Sequence, residues 1–195
     1  MINFITNTKF WKWFVNFFGN IRVYKFGIVI LGETSYHIKG PDIRKILELL
    51  QPGDVLLRRY DHYLGGLSIP GYWTHAAQYI GDNEIIHMLG DGICKEDILT
   101  FLRADHICIL RCKEKELIPY AIEKSKEFYE QNIAYDYQFK TDNKDLYCSE
   151  LIYINFQKHK SIIFDKYVLP DDIYCKLFNR IWMDELADSK FTKFV

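Results

Sequence analysis

Asp145-Leu146-Tyr147-Cys148-Ser149-Glu150-Leu151-Ile152-Tyr153 is the stretch on which the reading of this chain turns. Apolar residues at Leu151, Ile152, Tyr153, Ile154 and Phe156 predict a helix over Cys148 to Lys158 with the thiol at its first position. A thiol is a useful nucleophile only as the thiolate, so it needs a helix N-terminus or an imidazole beside it. Imidazoles lie upstream. His75, in Trp73-Thr74-His75-Ala76-Ala77, opens an apolar run to Ile80, and His87 sits in a second run, Glu84 to Met88. Gly81-Asp82-Asn83 between them is a turn signal, so the two runs are expected to form a hairpin. Histidines at the start of one strand and near the end of its partner are expected side by side, where directly opposed side chains are roughly 5 Å apart. The result is a Cys-His-His constellation in the chain order His75, His87, Cys148. The bland alternatives are a buried structural thiol for Cys148, a satisfied strand-end histidine for His75 and an ordinary hairpin histidine for His87. Glu150 in the first helical turn suits the helix dipole with any function, and is read as a dipole and packing residue.

Outward from this core the chain is regular. Pro41 to Leu50 carries apolar residues at 43, 46, 47 and 50 behind a proline and an acidic first turn, a helix pattern stopped by Pro52-Gly53-Asp54. Val55 to Arg58 is a short strand, and Gly65 to Gly71 a loop. Lys95 to Arg103 is expected as a short helix, Ile107 to Arg111 as a strand, and Leu117 to Tyr129 as a longer helix. Asn132 to Lys144, without a period, is expected as a loop. There are no internal repeats or low-complexity tracts.

Composition narrows the class. With 195 residues and 49% hydrophobic content, the chain can bury its own core. Basic and acidic residues nearly cancel, 25 against 26, so no global field draws it to nucleic acid, and none is expected as a partner. Five cysteines, Cys94, Cys108, Cys112, Cys148 and Cys175, form an odd set without a CxxC pair. That argues against a disulfide framework or a zinc site and favours a reducing, cytoplasmic compartment. Four of them sit in apolar runs where an inert thiol is expected; Cys148 alone has the flanks of a nucleophile. His37, His62, His106 and His159 show no partner pattern and are read as surface or structural. No HExxH motif, phosphate loop or GxSxG elbow appears, so neither metal nor cofactor is expected.

Residues 1–40 form an aromatic-rich extension. Phe10, Trp11, Phe14, Phe17 and Phe18 recur at helical spacing with Lys9, Lys12 and Asn16 elsewhere on the wheel, which predicts an amphipathic helix. Lys9, Lys12, Arg22 and Lys25 interrupt the apolar region before it reaches the roughly 20 residues that span a bilayer, and no signal-peptide cleavage site follows. Docking on the rest of the chain, self-association and peripheral membrane contact are the readings left open, docking or self-association being favoured.

Taken in order, Pro52-Gly53-Asp54-Val55-Leu56, Thr74-His75-Ala76-Ala77-Gln78-Tyr79-Ile80-Gly81, Glu84-Ile85-Ile86-His87-Met88, Tyr135-Asp136-Tyr137-Gln138-Phe139, Tyr147-Cys148-Ser149-Glu150-Leu151-Ile152-Tyr153 and Leu169-Pro170-Asp171-Asp172 resemble the permuted NlpC/P60 cysteine hydrolases of the YiiX/YaeF type. The likeness covers roughly residues 51 to 175. It implies an α+β, circularly permuted papain-like domain over 41–195, with a small antiparallel sheet packed against helices. It further implies Cys148 as nucleophile, His75 as general base and acid, and His87 as the residue that orients His75. Many relatives of this type carry glutamate where this chain has His87, and the exchange weakens the charge support of an imidazolium on His75.

The expected function is a cysteine hydrolase that cleaves an amide, peptide or isopeptide bond through a thioester; a peptidoglycan-type peptide is the substrate the resemblance suggests. Two alternatives stand beside it. The same Cys-His chemistry serves a lipid or ester acyl hydrolase or acyltransferase, and the fold also serves as a non-catalytic binding module.

Overall fold

The computed structural model describes residues 8–19, 22–23, 29–30, 36–61, 63, 72–139, 145–156 and 164–169. The expected loop at Gly65 to Gly71, residues 140–144, His62, His159, Cys175 and the Pro170-Asp171-Asp172 motif lie outside them, apart from the chain's Leu169. In order the elements are α1 (Lys9–Gly19), β1 (Arg22–Val23), β2 (Val29–Ile30), α2 (Gly40–Leu49), β3 (Val55–Arg59), β4 (His75–Gly81), β5 (Glu84–Leu89), β6 (Gly92–Asp97), α3 (Ile98–Phe101), β7 (His106–Cys112), α4 (Leu117–Glu130), α5 (Cys148–Phe156) and β8 (Phe164–Leu169).

A six-stranded antiparallel sheet in the order β6-β5-β4-β3-β7-β8 is the centre, and β1 and β2 make a separate small hairpin. The hairpin of β4 and β5 forms as its turn residues predict, with Asp82 and Asn83 both at positive φ, 51° and 61°, the backbone that two-residue hairpin turns demand. Lys95 to Arg103, in contrast, is not one helix. Gly92 to Asp97 pairs with β5 along its whole length, and the helix begins only at Ile98, capped by the Asp97 side chain. Gly92, at φ 114°, turns the chain back for that pairing, and an added β-carbon there would lie 3.0 Å from the carbonyl oxygen of Ile133.

Both faces of the sheet are covered. On one, Leu56, Ala77, Tyr79, Ile85, Ile107 and Ile109 bury Ile46 of α2 and Phe101 of α3. On the other, Val55, Leu57, Ala76, Cys108 and Leu110 meet Leu117 and Ala121 of α4 and Ile152 and Phe156 of α5, while Ile86 and Met88 meet Leu151. Buried polar groups lock α5 in place: the Asn155 amide donates to Ser125 Oγ of α4 at 2.6 Å and to Gln78 Oε1 of β4 at 3.5 Å. Gln78 in turn donates to the carbonyl of Gly53 at 2.7 Å.

The Pro52-Gly53-Asp54 turn has a physical reason to be those residues. Gly53 lies at φ 94°, and a β-carbon there would sit 2.3 Å from Ile118 of α4. Asp54, buried, takes a bidentate pair from Arg111 of β7 at 2.9 and 2.7 Å and the Gln51 N–H at 2.8 Å. Arg111 also donates to the Leu49 carbonyl, so one ion pair ties the end of α2 to the sheet.

α1 is helical as its spacing predicts. Its aromatic residues divide between two faces: Phe10, Trp13 and Phe17 are exposed at 64%, 58% and 43%, whereas Trp11, Phe14 and Phe18 are half-buried. Lys12 lies over the Tyr137 ring, 5.1 Å from its centroid, a contact between this helix and the loop before α5. Among the described residues no helix is long and apolar enough to cross a membrane. Deleting residues 1–31 is expected to lower the melting temperature by a few degrees and leave Cys148 reactive, since α1 lies outside the sheet. Thermal melts and alkylation of the truncated protein test this, and unchanged stability with loss of liposome binding would instead make α1 a membrane helix.

Candidate active site

α5 begins at Cys148, so the sulfur lies where backbone N–H groups have no helical acceptor. The N–H groups of Ala76, Ser149 and Cys148 itself are directed at it. The Ala76 donor follows from sheet register: the β4–β5 ladder starts at Ala77↔His87, one residue past Ala76. Glu150 is buried and its carboxylate accepts the Tyr147 N–H at 3.4 Å, a helix-start role as expected. Tyr135 and Tyr147 stand near the sulfur; burial pushes both hydroxyls up, Tyr147 to about 12, with the Cys148 charge adding to each. Burial likewise pushes the Cys148 thiol up, and the three N–H groups and Arg58 only partly offset it. The resting sulfur is therefore a thiol and needs a base.

His75 Nε2 and His87 Nδ1 are 2.8 Å apart, so the two imidazoles are hydrogen-bonded. They are not directly opposed, as the hairpin alone would suggest: Ala77 faces His87, and His75 is its diagonal neighbour. Diagonal side chains stay within reach when both are long or aromatic. Phe101 forms a shelf against both rings, at centroid distances of 5.9 and 5.8 Å. Burial lowers His75 well below its ordinary value, followed by the charges of Arg58 and His87. His87 is pushed down to about 3 by burial and then Arg58. Both imidazoles are neutral at rest. The His75–His87 bond uses Nε2 of His75; among the described residues no hydrogen bond joins its Nδ1 to the Cys148 sulfur.

A neutral buried histidine makes stability depend on pH. A folded value below the unfolded one means the contribution of His87 is fully present above about pH 6.5 and is lost as the pH falls towards 3. At pH 5 the loss is about 2 kcal/mol. Urea unfolding at pH 8 and pH 5 should show it, and His87→Gln should show a clearly smaller drop; equal drops would mean that His87 is not buried neutral.

Three residues of this site escaped the sequence. Arg58 is opposite His75 in the β3–β4 ladder, its guanidinium 4.5 Å from the Phe101 ring centroid and 5.1 Å from that of Tyr60. Its Nε is buried with no hydrogen-bond partner among the described residues. Phe101 and Glu96 were hidden by the expectation of a single helix from Lys95 to Arg103. Arg58 is revealed only by the long-range pairing of β3 with β4.

A second polar cluster lies just past the same, C-terminal end of β3. His106 Nε2 is 2.9 Å and His37 Nδ1 3.9 Å from Asp61 Oδ2, while Arg59 Nε is 2.9 Å from Oδ1. Burial pushes the Asp61 carboxyl up, but the hydrogen bonds and charges of His106 and Arg59 outweigh it and hold the group well below the usual carboxylate range. The expectation that His37 and His106 lack partners was incomplete. With three ligand-type groups within 4.8 Å the cluster has the donors of a metal site, yet Arg59 already neutralises the carboxylate, and the network reads as an ion pair. Of the other cysteines, Cys94 is half-buried rather than core, and burial pushes it and Cys112 up to about 11.

A helix-borne cysteine against an antiparallel sheet that carries its histidines upstream is the arrangement of a permuted papain-like cysteine hydrolase. The profile of the permuted papain-like amidase enzymes, the YaeF/YiiX or C92 family, matches residues 49–177, and the chain belongs to that family of enzymes. No curated protein and no solved structure is significantly similar to it.

Proposed function

We propose that the protein is a cysteine hydrolase that cleaves an amide, peptide or isopeptide bond, with Cys148 as nucleophile, His75 as general base and acid, and His87 as the residue that orients His75. The observation that carries this reading is the convergence of three backbone N–H groups on the Cys148 sulfur, one of them from the residue after His75. His75 Nδ1 takes the thiol proton, and the thiolate attacks the substrate carbonyl carbon. N–H groups at the start of α5 receive the oxyanion. His75 returns the proton to the leaving amine, and a thioester remains on Cys148. Water, deprotonated by His75, attacks that thioester and releases the acid and the thiol. A resting thiol–imidazole pair, rather than a preformed ion pair, suits this sequence, because apo geometry at catalytic hydrogen bonds commonly tightens only around substrate.

A peptidoglycan-type peptide is the substrate proposed first, on the sequence resemblance alone. The exposed Phe10, Trp13 and Phe17 face favours a second reading, acyl-ester or lipid hydrolysis at a membrane surface. Purified protein incubated with a panel of peptide amides and acyl esters, with and without liposomes, separates them. Peptide cleavage without liposomes, with a Cys148 acyl adduct seen by mass spectrometry, is expected. Ester cleavage only with liposomes would shift the assignment to lipids, and no turnover together with no adduct would leave a binding module.

A further inference from the structure

Glu96 reaches the site from β6. The register places His87 opposite Cys94 and Ile85 opposite Glu96, so Glu96 is the diagonal neighbour of His87 on the same face of the sheet. His75 is the diagonal neighbour on the other side. His75, His87 and Glu96 thus form one oblique row over three strands, each step two residues along the ladder. Glu96 Oε2 lies 3.6 Å from His87 Nε2, and that nitrogen is buried with no hydrogen-bond partner among the described residues.

The proton positions make this row directional. For His75 Nδ1 to accept a proton, the resting ring must carry its hydrogen on Nε2 and donate it to His87 Nδ1. His87, neutral, must then carry its own hydrogen on Nε2, the atom that faces Glu96. A buried N–H without an acceptor is costly, and the carboxylate is the acceptor within reach. At 3.6 Å the contact is not yet a hydrogen bond, but the Glu96 side chain is 27% exposed and has the freedom to close it.

We infer that Glu96 is a positioning residue of the site: it holds His87 in the tautomer that accepts from His75 and supplies the negative charge that steadies an imidazolium on His75. The inference rests on the proposed Cys148–His75 chemistry. It also accounts for a histidine at position 87, since the carboxylate stands one residue further along the row and acts through the second ring. The other charged or titratable groups that face this row are Arg58 from β3, Tyr60 after it and Cys94 on β6. Arg58 opposes protonation of both histidines, which is why a counter-charge matters here. No lysine or arginine among the described residues pairs with Glu96; its neighbour Lys95 is held by Glu84 at 2.9 Å.

The test is the pH profile of Cys148 alkylation by iodoacetamide in the full-length protein, read for each cysteine by mass spectrometry. Glu96→Gln keeps the shape and removes the charge. It should slow alkylation at pH 7 about tenfold, one unit in the ion-pair equilibrium; Glu96→Asp should fall between. In a His75→Ala background Glu96→Gln should have no further effect. An unmoved profile in Glu96→Gln, or an equal slowing in the His75→Ala background, overturns the inference and leaves Cys148 and His75 in place. If His75→Ala itself leaves Cys148 labelling unchanged, the hydrolase reading falls, and the role of Glu96 with it.

Discussion

Replacing Cys148 by Ala should abolish turnover, with a rate loss on the order of 10⁶-fold, and His75→Ala should cost nearly as much. The two changes together should be no worse than either alone, because nucleophile and base act as a unit. The fold should survive both. The sulfur is at the first position of α5, and His75 is at the first position of β4, so neither anchors the core. Sub-stoichiometric iodoacetamide should modify Cys148 ahead of Cys94, Cys108, Cys112 and Cys175, since burial raises Cys94 and Cys112 to about 11 and neither of those two lies at a helix N-terminus. Burial raises Cys148 too, so selectivity must come from proton transfer to His75, and His75→Ala should remove it. Uniform labelling of all five thiols, or additive losses in the double variant, would end the assignment.

Asp54→Ala should destabilise the protein by about 3 kcal/mol or more, the largest loss of stability expected from a single change away from the site. Asp54 is 2% exposed, and its removal leaves the Arg111 guanidinium without its bidentate partner in a largely buried setting. The Gln51 N–H would lose its acceptor as well. Urea denaturation at pH 7.5 measures the effect. Asp54→Asn, which keeps one acceptor and loses the charge, should fall between; a loss below 1 kcal/mol for the Ala variant would show that solvent rescues Arg111. The site should feel the change in milder form, because Tyr79 N–H and the carbonyl of Asp54 join at 2.8 Å and so fix β4 against β3.

The sequence by itself determined the local elements and the order of the motifs. Ala121 and Ser125 at helical spacing, the turn at Asp82 and Asn83, and the apolar run after Cys148 each specify their own segment, because period and turn chemistry act within a few residues. The family likeness rests on those same short motifs in order, which is why it was legible without coordinates. Gly92 to Asp97 was misread for the converse reason. Ile93, Lys95 and Asp97 alternate with Cys94 and Glu96 too weakly in hydrophobicity to announce a strand, and their pairing with β5 is a long-range decision.

Only the tertiary structure decided what surrounds the histidines. Register set His75 diagonal to His87 and brought Glu96 and Arg58 into the same row, and register depends on every ladder bond and every buried side chain of the sheet at once. Electrostatics followed from that placement. The helix N-terminus alone suggests a thiolate at Cys148, but burial of the sulfur and of both imidazoles makes a neutral thiol and neutral histidines the resting state. Desolvation is a property of the assembled fold, felt by each group from all sides, and no pattern along the chain records it.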